Sequence, residues 1–157
     1  MSLPPLPNSA IELGATASDW RDAIRLAGAA LVRSGATEES YTERMIDVID
    51  EFGAYIVIAP GLALAHARPG ADVSHEGLSV VTLAEPVSFG HPHNDPVRVV
   101  LGLAVTTPES HVTSVADLAN VFNDATAIPA VASATTPDEV RRVLSATDAS
   151  APARETP

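Results

Sequence analysis

Residues 51–67, EFGAYIVIAPGLALAHA, decide how the rest of the chain is read. Leading into this stretch, Tyr41, Met45, Val48, Ile49 and Phe52 recur at helical spacing, and Gly53 ends the run as a glycine past a helix terminus does. After Gly53 the pattern changes to short β-rich runs, Tyr55 to Ala59 and Leu62 to His66. Pro60-Gly61 between them has turn chemistry: proline sets φ at one position and glycine accepts positive φ at the next. The reading is a helix, then a hairpin. His66 falls where the second strand ends and a loop begins, a place from which folds present reactive groups.

Outward from there the pattern keeps alternating. A first helix is expected over Asp19 to Arg33 with Ser18 as N-cap, placing Trp20, Ile24, Ala27 and Leu31 on one face before Gly35. Thr37 is expected to cap the helix that ends at Phe52. Toward the carboxy terminus, Gly77 to Ala84 and Val97 to Thr106 read as strands. Thr107-Pro108-Glu109 supplies an N-cap, a first-turn proline and an acid, opening a helix to about Phe122 that buries Val115, Leu118, Ala119 and Phe122. Thr136-Pro137-Asp138-Glu139 is a capping box ahead of Val140, Val143 and Leu144. These elements predict one α/β domain: a mixed β-sheet of about five strands flanked by helices, with the loops bearing His66 and His111 brought together. The proline-rich residues 1–10 and the polar residues 148–157 read as disordered tails, leaving 11–147 as the domain.

A chain of 157 residues can bury a core unaided, and the absence of cysteine excludes disulfides, thiolate metal sites and cysteine nucleophiles. The opening MSLPPLPNSA has neither a basic nor an apolar signal region, and no apolar run approaches the roughly 20 residues that span a bilayer. A cytoplasmic protein without direct membrane insertion is expected. A formal charge of −11, with no basic cluster, argues against nucleic acid as a partner. Any anion handled here must be held by a few local donors.

There is no Walker loop, G-x-S-x-G elbow, H-E-x-x-H or dinucleotide fingerprint, so the five histidines carry what chemistry is visible. His111 lies in the opening turn of the helix begun by Thr107, where unpaired N–H groups and positive potential favour a phosphate. His66 and His111 could share one phosphoryl group; a strand-end histidine and a solvent-facing helix residue are the plainer reading of the same positions. His91 and His93, in GHPHND, would ligate a metal if His66 or Asp95 joined them, but that composition also suits a turn between strands. His75 reads as an exposed loop residue.

The stretch Glu51 to Ala67 resembles the active-site signature of the type 2 enzyme IIA components of the bacterial phosphoenolpyruvate-dependent sugar phosphotransferase system. The matching residues are Glu51, Ile58, Ala59, Leu62-Ala63-Leu64, His66 and Ala67. Ala65 stands where the family normally has proline. The wider run, from Gly53-Ala54-Tyr55 through His66-Ala67-Arg68-Pro69 to Asn94-Asp95-Pro96-Val97, looks most like the ascorbate branch. The resemblance implies a phosphotransferase that takes a phosphoryl group from the phosphocarrier HPr on His66. It would pass the group to a cysteine of a IIB component, which serves the membrane IIC permease, with no cofactor beyond the phosphohistidine itself. His111 matches the family's second active-site histidine. The mannitol and fructose branches carry an Arg-Glu pair upstream, where this chain has Asp50-Glu51, and Arg68 is the candidate for the missing positive charge. An apolar rim containing Leu62 and Leu64 is expected to meet the partner proteins. The rival readings are a regulatory IIA-like module, a metal-dependent hydrolase using His66, His91, His93 and Asp95, and a relay that has decayed through Ala65.

Overall fold

A computed structural model describes residues 3–145, so the carboxy-terminal tail expected over 148–157 lies outside the described residues. The chain forms strand β1 (Ile11–Ala15), helices α1 (Trp20–Arg33) and α2 (Glu39–Phe52), strands β2 (Val57–Ala59), β3 (Leu62–His66), β4 (Gly77–Val87) and β5 (Val97–Ala104), and helices α3 (Pro108–Phe122), α4 (Ala127–Ala132) and α5 (Pro137–Leu144). The five strands make one mixed sheet in the order β1-β4-β5-β3-β2. β1 runs parallel to β4 and β3 parallel to β5, while β4–β5 and β2–β3 are antiparallel. The expected α/β architecture is the one observed.

Both faces of the sheet are buried, and the alternation along the strands sorts them. Leu62 and Leu64, Leu78 and Val80, and Val99, Leu101 and Leu103 point to one core, shared with Leu118 and Phe122 of α3, Val131 of α4 and Val140 and Leu144 of α5. Ala63 and Ala65, Val81, Val100 and Ala104 point to the other, shared with Ile24, Ala27 and Leu31 of α1 and Tyr41, Met45 and Ile49 of α2. That second face is lined by small residues because α1 lies close on it. Ser79 Oγ donates to the Ala27 carbonyl at 2.8 Å, and a Cβ on Gly102 would run into that hydroxyl. His66 shares the parity of Leu62 and Leu64, so its side chain leaves the sheet on the side of α3. Ala65 faces α1 and α2 and is buried.

Local chemistry departs from expectation at several points. Asp19, not Ser18, caps α1: its carboxylate accepts from Asp22 N at 2.9 Å, while Ser18 turns its own N–H and hydroxyl to the Asp22 carboxylate. Thr37 does not cap α2, which begins after Glu38; Thr37 is buried and bridges Val73, and its hydroxyl has no hydrogen-bond partner. Ala119 is exposed, its place on the buried face of α3 being taken by Ser114. Ala54–Ile56 form a single 3-10 turn rather than strand, because Gly53 closes α2 at φ +86° and the chain must reverse before β2. The proline at the third position of α4 is tolerated because first-turn N–H groups have no intrahelical acceptor.

Nor are residues 3–10 a loose tail. Leu6 is fully buried in the α3–α5 core, Asn8–Ala10 make a 3-10 turn, and the Arg141 guanidinium of α5 donates to the Leu6 carbonyl and the Asn8 side chain at 3.1 and 2.8 Å.

Candidate active site

The parallel strands β3 and β5 end side by side, with His66 opposite Leu103 in register. Their carboxyl ends open a crevice, the usual place for a site in such sheets. β3 delivers His66 to its edge; β5 stops at Ala104, short of the expected Thr106, and the chain runs on to Thr107, whose hydroxyl accepts from Ser110 N at 3.0 Å and starts α3. One helical turn later comes His111. Its ring centroid lies 4.9 Å from that of His66, the planes tilted by 43°. The two histidines expected to converge do so.

Around them is a groove of about 640 Å³ lined by Val48, Phe52, Tyr55, Pro69, Pro108 and Val112, together with His66, Ala67, Arg68 and His111. Tyr55 stands edge-on to the His66 ring, 6.2 Å between centroids. Phe52, Tyr55 and Val112 are more than half exposed. These form the apolar rim; Leu62 and Leu64, expected in it, are at most 1% exposed and belong to the core beneath.

Among the described residues a single hydrogen bond orients the His66 ring. Its Nδ1 lies 3.0 Å from the Leu64 carbonyl oxygen. A carbonyl only accepts, so the proton sits on Nδ1 and the lone pair on Nε2. Burial pushes the His66 pKa below its ordinary value; the Leu64 carbonyl works against that shift and the neighbouring His111 adds to it. The result is a neutral imidazole at pH 7 with a free nucleophilic nitrogen.

The end of α3 offers fewer backbone donors than helix termini in general. Pro108 has no N–H and the Ser110 N–H is taken by Thr107, so the His111 imidazole is the main donor this helix can bring. Arg68 is the one Lys or Arg among the residues lining the groove; it is exposed and makes no ion pair among the described residues. Asp50 pairs instead with Arg21 at 2.6 Å, and Glu51 is exposed; neither lines the groove.

The GHPHND loop is a staple in its own right. One Asp95 carboxylate accepts from the N–H groups of Phe89, Gly90 and His91 and from the Ser88 hydroxyl, at 2.6 to 3.1 Å. These bonds outweigh partial burial and hold its pKa below the ordinary value. His91 Nδ1 accepts from His93 N and Asn94 N. The hydrolase reading required these groups to meet His66, and among the described residues no group of three or more His, Asp or Glu is placed to hold a metal ion. His75 is exposed, as expected.

Sequence reasoning missed Tyr41. Its hydroxyl, fully buried, reaches from α2 to the backbone immediately behind His66. At helical spacing among apolar residues it reads as core, and nothing local separates it from a packing tyrosine.

A neutral imidazole beside a second imidazole, in a shallow groove open to another protein, has the make-up of a phosphotransferase. Residues 5–147 match the family described as "Phosphoenolpyruvate-dependent sugar phosphotransferase system, EIIA 2". The chain belongs to this family: it is a type 2 EIIA component of the sugar phosphotransferase system. The ascorbate-specific PTS system EIIA component of Salmonella choleraesuis is 34% identical to it over 145 residues, 92% of this chain and 94% of that one. The IIA mannitol crystal structure from Escherichia coli superposes with a TM-score of 0.76 at 31% identity, covering 87% of this chain and 96% of the other. A second Escherichia coli structure, of enzyme IIAMtl in complex with phosphorylated enzyme IIBMtl, gives 0.77 at 30% identity over 87% and 94%. Among the described residues no helix is long and apolar enough to cross a membrane.

Proposed function

We propose that this chain is a cytoplasmic phosphoryl relay of the ascorbate type, accepting phosphate from phospho-HPr on His66 and passing it to a cysteine of a IIB component. The observation that carries this reading is the pairing of His66 and His111, rings 4.9 Å apart, with the His66 Nε2 lone pair free. Support for the sugar comes from the ascorbate-specific relatives, and support for a IIB partner from the mannitol complex.

In the first step Nε2 of His66 attacks phosphorus, the P–N bond of the donor phosphohistidine breaks, and its electron pair returns to the donor imidazole. His66 then carries positive charge, which the Nδ1–H···O=C bond to Leu64 stabilises without moving a proton. In the second step a thiolate of IIB attacks, the P–N bond to His66 breaks, and the neutral ring is restored. Such transfers depend on in-line positioning and on neutralising the phosphoryl oxygens, the tasks assigned to His111 and Arg68. No bound cofactor or metal is called for. The apolar rim of Phe52, Tyr55 and Val112 gives each partner a shallow surface to meet and leave.

Intact-mass measurement after incubation with phosphoenolpyruvate, enzyme I and HPr tests this reading. Wild type should gain one acid-labile phosphoryl group and His66→Ala none; a folded wild type that gains none, or a variant that still gains one, refutes it.

A further inference from the structure

Where β3 and β5 separate, the ladder between them is continued by a side chain. β3 pairs with β5 up to His66 and Leu103, and the first N–H beyond β3, that of Ala67, donates not to β5 but to the Tyr41 hydroxyl at 3.0 Å. That hydroxyl has a single proton, and its shortest contact is the Leu103 carbonyl at 2.6 Å, against 3.2 Å to the Ala67 carbonyl. The chain of bonds is therefore Ala67 N–H to Tyr41 Oη–H to Leu103 O. It joins the residue after His66 to the residue paired with His66, on the strand that leads into α3 and His111.

Tyr41 is completely buried, from the α2 side of the sheet, while the His66 ring lies on the α3 side. Arg44 lies over its ring at 5.1 Å and holds Asp72 in a two-pronged ion pair at 2.6 and 2.9 Å, closing the loop that follows Ala67. Burial pushes the Tyr41 hydroxyl up to about 12, so it stays a donor across the working range.

We propose that Tyr41 is a positioning residue of the relay, its hydroxyl setting the separation of the His66-bearing and His111-bearing segments from behind the sheet. This rests on the relay reading above. Transfer through a loose, in-line transition state is sensitive to displacements of about 1 Å, which can cost about a hundredfold. A hydroxyl that spans two strands at a point where they would otherwise part controls displacements of that size.

The test compares full-length wild type with Tyr41→Phe, which keeps the ring and removes the hydroxyl, and with Arg44→Met, which removes the guanidinium from over the ring and leaves the hydroxyl. Each is assayed for phosphoryl uptake from phospho-HPr at a temperature where it is folded by circular dichroism, and His66 is titrated by NMR. For Tyr41→Phe the expected result is at least a tenfold loss of kcat with KM for phospho-HPr little changed, and a His66 pKa moved back up toward 6.5 as the ring loosens. Arg44→Met should lower Tm and leave both readouts near wild type. Wild-type kcat and His66 titration in Tyr41→Phe would overturn the proposal, as would an equal loss in Arg44→Met. Should Tyr41→Phe fail to fold, 3-fluorotyrosine in a Tyr55→Phe background perturbs the Tyr41 hydroxyl alone; the same two readouts must move relative to unlabelled Tyr55→Phe, or the proposal fails. If wild type takes up no phosphate, the relay reading fails, and the NMR titration still decides whether Tyr41 positions His66.

Discussion

At the scale of single residues, the chemistry divides between a nucleophile and its attendants. His66 is held neutral mainly by burial, and this has a consequence for stability whose sign follows from proton linkage. Because the folded-state pKa is depressed below 6.5, the unfolded chain takes up the proton first as pH falls. The contribution of His66 is therefore fully present above about pH 6.5 and is lost as pH drops from there through the folded value. Wild type should accordingly lose Tm relative to His66→Gln between pH 7.5 and 5.5, and a constant difference across that range would contradict the assignment. The rate of phosphoryl uptake should likewise have its acid limb below pH 6.5. His111→Ala should keep the fold and slow at least one transfer by about a hundredfold to a thousandfold, the range expected for one lost electrostatic donor. Arg68 is exposed, where charges are screened, so Arg68→Gln should cost less than His111→Ala and more at low salt than at high.

At the scale of elements, the molecule shows which signals a sequence carries plainly. β3 occupies the expected Leu62–His66, and Gly61 between β2 and β3 has φ +83°, as the Pro-Gly turn requires. Thr107 and Thr136 cap their helices, the latter in a full capping box. The two caps announce themselves because each is satisfied within four residues of chain. β1 does not: Gly14 sits at φ +67° in a register shift and donates to Thr82 Oγ1 of β4, a partner 68 residues away. A strand containing a bulged glycine reads locally as a loop. The same distinction separates His66 and His111, flagged by position and resemblance, from Tyr41, whose role depends on two backbones it meets only after folding. Close packing of elements gives a prediction at this scale. Gly28 of α1 is crossed by α2, and a Cβ there would run into the Thr42 side chain. Gly28→Ala should therefore lower stability by about 1–3 kcal/mol despite alanine's better helix propensity; urea unfolding showing a gain would mean that α1 and α2 are less tightly apposed.

At the scale of the whole molecule, two cores sit on the two faces of one sheet, and the site lies where both contribute: α3 brings His111 from one side, Tyr41 of α2 reaches the backbone from the other. The α3–α5 core is completed from the far end of the chain. Leu6 enters it, and Arg141, itself mostly buried, ties the Leu6 carbonyl and Asn8 to α5 while pairing with Asp138. The composition of residues 1–10 gave no hint of this, because one buried leucine among prolines carries no periodicity. Leu6→Ala removes a fully buried side chain and leaves a cavity, a change that typically costs about 2–5 kcal/mol. Leu6→Met nearly conserves volume and should cost less than about 1.5 kcal/mol. Both variants should take up phosphate at the wild-type rate while folded, since neither touches the groove. Urea titrations with m-values unchanged and midpoints shifted in that order are the expected result; equal midpoints for Leu6→Ala and wild type would show that the amino-terminal segment adds nothing to the fold.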